Sequence, residues 1–166
     1  MRFPLARMSP LIRALTILFL ALPLALLGAV LLGTHQLAVP ALLVVIIHSW
    51  VWLRFRPNAF VVHPRALEIV WPLKRRELLR DGITEFRFID RQSLRKEIGW
   101  GIRIGAGGLW GAFGWLWTKK RGIVQMYVSR TDCFVWIEHA GGRPWLITPE
   151  KPEEFVYALS NDRADV

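Results

Sequence analysis

Residues 98–117 read IGWGIRIGAGGLWGAFGWLW, and the rest of the chain is interpreted according to how this stretch is read. It contains Gly99, Gly101, Gly105, Gly107, Gly108, Gly111 and Gly114 with Trp100, Trp110, Trp115 and Trp117, and Arg103 is its only charge. By length and apolar character it could cross a bilayer as a helix. Such a crossing would end at Lys119-Lys120-Arg121 and carry that basic cluster to the outside, against the positive-inside rule. It would also strand half of a small domain on the far side. The alternative is a bent, glycine-kinked β segment whose glycines allow close backbone approach. This β reading is the expectation, with a third crossing as its competitor. A phosphate-binding loop is not supported, since Gly105-Ala106-Gly107-Gly108 lacks both the G-x-G-x-x-G order and a following Lys-Ser/Thr.

Upstream the composition changes sharply. Residues 14–53 carry no Lys, Arg, Asp or Glu, and all 13 acidic residues lie from Glu68 onward. The run Ala14–Leu32 is long enough to span the hydrocarbon core as a helix. Gly33-Thr34-His35-Gln36 breaks it, and a second, slightly shorter run follows from Leu37 to Leu53. Pro40 falls in the first turn of that run, where a missing amide donor is harmless. Trp50 and Trp52, then Arg54 and Arg56, have the order of an interfacial aromatic belt and its cationic edge. Two spans joined by so short a turn form an antiparallel hairpin. Arg2, Arg7 and Arg13 flank its first arm and Arg54, Arg56 and Arg65 follow its second, while the turn has no basic residue. Both ends are therefore expected in the cytoplasm. A cleaved signal peptide fits less well, because the apolar run is long and lacks a small-x-small site. His48 is expected to be solvated or to face headgroups, since no acidic partner lies in the span.

From about Asn58 the pattern becomes short β-type runs separated by turn residues. Phe60–Val62, Ala66–Trp71, Arg75–Leu79 and the alternating Ile83–Ile89 come first. Ile123–Val128, Cys133–Glu138 and Trp145–Ile147 come later, with Gly141-Gly142 as the turn between the last two. The end differs: after Thr148-Pro149-Glu150, the residues Phe155, Val156 and Leu159 can share one face of a helix, and Thr148 is placed to N-cap it. Several antiparallel strands capped by one helix predict a small barrel or a sharply bent sheet.

Three features together resemble the bacterial pleckstrin-homology (PH) domain family. They are Gly108-x-x-Gly111-x-x-Gly114 with interleaved aromatics, a basic turn leading to a Gly122-led strand, and the terminal run Ile147-Thr148-Pro149-Glu150-Lys151-Pro152-Glu153-Glu154-Phe155. The resemblance implies an α+β domain of bent antiparallel sheets, or a partly open barrel, with a C-terminal helix, following an N-terminal transmembrane hairpin. It implies a binding or assembly module and supplies no catalytic residues. The expected organisation is a hairpin over 1–57 (spans about 12–33 and 37–54), a PH-like domain over 58–160 and a tail over 161–166. Phosphoinositide binding, known for eukaryotic relatives, is not carried over, because the basic first-loop pattern has no clear match here.

No catalytic constellation is evident, and no cofactor or metal is expected. Cys133 precedes Phe134-Val135-Trp136-Ile137 and is expected as a buried structural thiol, and the four histidines have no metal-ligand spacing. Of the net charge of +9, Arg2, Arg7 and Arg13 supply +3 ahead of the apolar stretch, and beyond it three basic clusters stand out: Lys74-Arg75-Arg76 in a hairpin connection, Arg91, Arg95 and Lys96 in the polar stretch after a strand, and Lys119-Lys120-Arg121 in a turn. These are candidates for facing lipid headgroups, with solvated turns as the competing explanation. Gly108, Trp110, Gly111, Gly114, Trp115 and Trp117 are candidates for an interface or a structural role, and Trp50, Trp52, Arg54 and Arg56 for interfacial anchors. The expected partners are the bilayer and a protein, including a second copy of the chain. Nucleic acid is disfavoured for want of a stacking motif or recognition helix, and a substrate for want of a polar path through the spans.

Overall fold

The computed structural model describes residues 1–161; the expected tail from 162 onward lies outside the described residues. A short strand β1 (Arg2–Pro4) precedes helix α1 (Pro10–Leu31), which opens with proline in its first turn. Gly33, with φ of 101°, lets the chain reverse through a 3-10 turn at His35–Leu37 into α2 (Ala38–Arg54). The helices are antiparallel, and His48 sits where they meet. Its Nδ1 lies 2.8 Å from the Val44 carbonyl and its Nε2 3.3 Å from the Phe19 carbonyl. His48 is only half-buried, so beyond the expected solvated or headgroup-facing placement it also bridges the backbones of the two helices. Both helices are long and apolar enough to cross a membrane, and only 11% and 6% of their apolar windows are buried inside the protein. The core helix of a water-soluble domain would be mostly covered.

Two sheets follow. The smaller runs in the order β1-β2-β3-β4, with β2 at Ala59–Val62, β3 at Ala66–Val70 and β4 at Arg75–Leu79. The larger runs in the order β5-β9-β10-β8-β7-β6. Its strands are β5 (Ile83–Ile89), β6 (Gly101–Gly107), β7 (Ala112–Thr118), β8 (Gly122–Val128), β9 (Phe134–His139) and β10 (Trp145–Ile147). The sheets do not close into a barrel. Pairing is antiparallel except between β10 and β8, where β10 folds back beside β9 and enters the sheet parallel to β8.

Alternation along these strands creates two cores. Phe113, Val135, Ile137, Trp145 and Ile147 face the smaller sheet's Phe60, Val62, Leu67 and Ile69, and helix α4 (Pro152–Asn161) closes this core with Phe155, Ala158 and Leu159. On the opposite face Val124, Met126, Trp136 and Leu146 pack under Leu94 and Ile98 of α3 (Arg91–Ile98). Helix α3 departs from the expected polar stretch. Asp90 N-caps it, accepting from the Gln92 and Ser93 amides at 3.1 and 3.2 Å, and the i, i+4 pair Leu94/Ile98 gives it an apolar stripe. A side-chain hydrogen bond from Ser93 is the main cause that holds the Asp90 carboxyl below its ordinary range.

Two local expectations are corrected. Thr148 does not cap α4, which starts at Pro152. Its hydroxyl is buried and accepts the Ser129 amide at 2.9 Å. Cys133 is only half-buried and takes a φ of 51° in the turn before β9, so it ends a turn rather than opening a buried strand.

Residues 98–117 are the end of α3 and the β6–β7 hairpin, so they make no helical crossing. Gly105 and Gly114 are cross-strand partners with φ of 137° and 130°. A Cβ on either would come within about 2.4 Å of a carbonyl oxygen on the opposite strand, so the ribbon can take this close approach only with glycine at both sites.

The tip of this ribbon docks on α1. Thr16, 4% exposed, accepts the Trp110 amide at 2.9 Å. Its Oγ1 also lies within donating distance of two carbonyls, Ile12 at 2.8 Å and Gly108 at 3.1 Å. Gly108 has φ of 88°, and a Cβ there would sit 2.8 Å from the Phe19 ring. Trp110 packs edge-on against Trp52 of α2, with ring centres 4.7 Å apart, and the Arg56 guanidinium covers the other ring at 4.2 Å. The N-terminal strand makes a second tie: β1 pairs with β2, Leu5 bridges to Pro149, and the Ala6 amide donates to the Thr148 carbonyl at 2.9 Å.

Two substitutions test these supports. Thr16→Val leaves the Trp110 amide and the Gly108 carbonyl without this partner, a loss of about 1–3 kcal/mol. Hydrogen exchange across 108–112 is expected to accelerate in Thr16→Val and to stay near the original in Thr16→Ser; equal exchange in all three would contradict the docking role. Phe155→Ala removes the ring that Phe3 and Phe60 meet edge-on, at 5.3 and 6.2 Å. It should lower stability by about 3–5 kcal/mol and release β1, visible as a depressed thermal midpoint and faster exchange near Phe3.

Candidate functional site

Cross-strand register identifies the surface that the two cores leave uncovered. Ile102 pairs with Trp117, Ile104 with Trp115, and Trp117 with Ile123. Paired residues project to the same side of a sheet, and Trp115 and Trp117 follow Phe113 at period two, so all five lie on the face turned toward the smaller sheet. That sheet covers Phe113 completely but does not reach the β6 end. Trp115 and Trp117 are each 44% exposed, Ile102 47% and Ile104 55%. Trp100 stands at the margin, edge-on to Trp117 with ring centres 6.4 Å apart. Strand β6 is the outermost of its sheet, so its backbone edge is open beside this apolar surface.

The other tryptophans divide by function in the fold. Trp136 and Trp145 are fully buried, Trp71 nearly so, and Trp71 Nε1 donates to the Phe55 carbonyl at 3.1 Å. Trp50 is 59% exposed on α2, two residues before Trp52 and so turned to roughly the opposite side of the helix. Among the glycine-segment candidates, Gly108, Trp110, Gly111 and Gly114 shape and seat the ribbon, whereas Trp115 and Trp117 form the open face.

The basic clusters do not meet at one point. Lys74 and Arg76 flank the aromatic face: Arg76 donates to Gln125 at 2.6 Å and lies 5.1 Å over the Trp145 ring, while Lys74 sits 4.4 Å over Trp71. Partial burial, with the neighbouring charges of Arg54 and Arg76, pushes the Lys74 ammonium below its ordinary range. The β3–β4 turn therefore stands beside the basic end of α2. Arg75 points elsewhere, 3.6 Å from the buried carboxylate of Glu68. The remaining two clusters adjoin each other, because Lys120 Nζ donates to the Lys96 carbonyl at 2.8 Å. Arg121 is engaged by Glu97 and, at 3.4 Å, by Glu138, which leaves Lys119 and Lys120 as the outward charges of that turn.

Thr16 was not singled out by sequence reasoning. A threonine within an apolar span shows as a small interruption, and only the fold reveals the ribbon tip it holds. Among the described residues, no group of three or more His, Cys, Asp and Glu side chains is placed to hold a metal ion.

The bacterial PH domain family model matches residues 58–162, most of the chain and all of the described segment from β2 to α4. No curated protein and no solved structure matches it. Two sheets closed by a C-terminal helix, and a family match over that region, lead to one assignment: the chain belongs to the bacterial PH domain family.

Proposed function

We propose that this protein is a membrane-anchored, non-catalytic PH-like module that makes protein contacts at the cytoplasmic face of a bacterial membrane. The observation that carries this reading is the exposed aromatic face of β6 and β7 beside an open strand edge. Clustered Trp and Ile side chains without cover are the composition of an interface centre, and an open edge offers backbone pairing to an extended partner segment. A second copy of the chain is one such partner. The anchoring is supported by the two uncovered apolar helices. Both ends of the hairpin enter one β domain, through β1 and β2, so the termini share a side of the membrane and the flanking arginines favour the cytoplasm.

A second reading is favoured by the position of Lys74 beside Arg54: these charges and Arg56 stand where an anionic headgroup layer would lie, and each Lys or Arg there is worth about 1 kcal/mol. In this reading the cationic turns, including Lys119 and Lys120, recognise anionic lipid.

Photo-crosslinking in intact membranes separates the two readings. A crosslinking residue replacing Ile102 or Trp117 in the full chain is expected to give discrete protein adducts, while one replacing Tyr157 on α4 should give none. Lipid adducts alone at Ile102 and Trp117 would reject the protein-contact reading. Reporter fusions after Gln36, Asn58 and Val166 check the anchoring: Gln36 should report outside and the other two inside, and any other pattern overturns the proposed orientation.

A further inference from the structure

The opposite face of the large sheet holds a separate feature. Between the first turns of α1, helix α3 and the β6–β8 strands lies a cavity of about 610 Å³. This is within the range of small-molecule sites, roughly 300–1,000 Å³. Its walls are apolar: Leu11 and Leu15 of α1, Leu94 and Ile98 of α3, and Leu116 and Met126 of the sheet. Its charged lining is of one sign, consisting of Arg91, Arg95, Arg103 and Arg130 with no carboxylate. Arg130 is held by Asp132 at 2.8 Å, but Arg91, Arg95 and Arg103 make no ion pair among the described residues.

An apolar slot bordered by unpaired guanidiniums suits a molecule with an alkyl chain and an anionic head. A soluble anion would leave the floor unused, and an apolar ligand would leave the arginines without a partner. The slot is also continuous with the surface of α1. Leu11, Leu15, Leu18 and Leu22 fall at helical spacing on one stripe, and Leu18 and Leu22 are 66% and 53% exposed beyond the cavity. If α1 crosses the membrane as proposed above, that stripe leads from the bilayer into the slot.

We infer that this cavity seats one anionic phospholipid of the surrounding bilayer, with an acyl chain along Leu11 and Leu15 and the phosphate at Arg91, Arg95 and Arg103. The inference rests on the membrane reading of α1. It concerns a different face from the aromatic surface and is independent of any protein partner.

Native mass spectrometry of the full chain in mild detergent, with phosphatidylglycerol and phosphatidylcholine of matched acyl chains, tests it. One phosphatidylglycerol should remain bound in strong preference to phosphatidylcholine. The Arg91→Gln/Arg95→Gln/Arg103→Gln variant should lose that occupancy by at least about tenfold, corresponding to the loss of charge-assisted hydrogen bonds to phosphate. The Arg143→Gln/Lys151→Gln variant, which removes two exposed charges outside the slot's lining, should retain it with the same lipid in the same detergent. Equal retention of both lipids, or unchanged phosphatidylglycerol binding in the arginine variant, overturns the site. An equal loss in the Arg143→Gln/Lys151→Gln variant would show that overall charge, and not the slot, holds the lipid, and would overturn it as well. If the triple arginine variant fails to fold, the lipid preference of the unaltered chain and of the Arg143→Gln/Lys151→Gln variant still decides. A chain that stays in solution without detergent would instead reject the membrane reading, which is a distinguishable result.

Discussion

One hydroxyl joins the apolar hairpin to the β domain. Thr16 offers an acceptor to the Trp110 amide and a proton toward the Gly108 carbonyl, two backbone groups at a ribbon tip that have few other partners. Burying such groups without hydrogen bonds is costly, so the tip is stable only where it meets α1. The glycine at 108 has room for no side chain because Phe19 fills the space, and Trp110 completes the contact against Trp52. The ribbon that carries Trp115 and Trp117 is thereby held against the base of the hairpin, as is the groove lined by α1 and α3.

The N-terminal strand constrains the same assembly from the other side. Since β1 adds to the smaller sheet and α2 runs directly into β2, the two arms of the hairpin leave one rigid platform and return to it. The helices therefore have little freedom to reorient independently of the domain. Hydrophobic burial sets this geometry: one face of the large sheet is covered by the smaller sheet and α4, the other by α3, and the β6 end extends past both covers. That overhang leaves an aromatic surface on one side and a cationic slot on the other.

Much of this was legible in the residues. A charge-free stretch, a turn without basic residues and a Trp-Arg edge mark the hairpin by composition, and period-two alternation marks β5. The glycine-aromatic segment was harder, because its length and apolar content suit a helix as well as a ribbon; Lys119-Lys120-Arg121 argued for the ribbon, and the Gly105–Gly114 pairing explains why glycine is needed there. Helix α3 was missed although Asp90 and the Leu94/Ile98 spacing signal it, since eight residues hold too few turns for a clear period. Strand β1 and Thr16 carry no local signal at all. Their roles depend on partners more than 50 residues away, at Val61 and Trp110.

The rigid docking of the β domain on the apolar hairpin is the central claim, and a distance measurement addresses it directly. Spin labels at Ile17→Cys on α1 and Lys119→Cys in the β7–β8 turn, in a Cys133→Ser background and in lipid nanodiscs, report the separation between hairpin and ribbon. The account predicts a single narrow distance distribution, because Thr16, Trp52 and β1 hold the two parts together. A broad distribution spanning many ångströms would show a domain swinging on a tether and would contradict it.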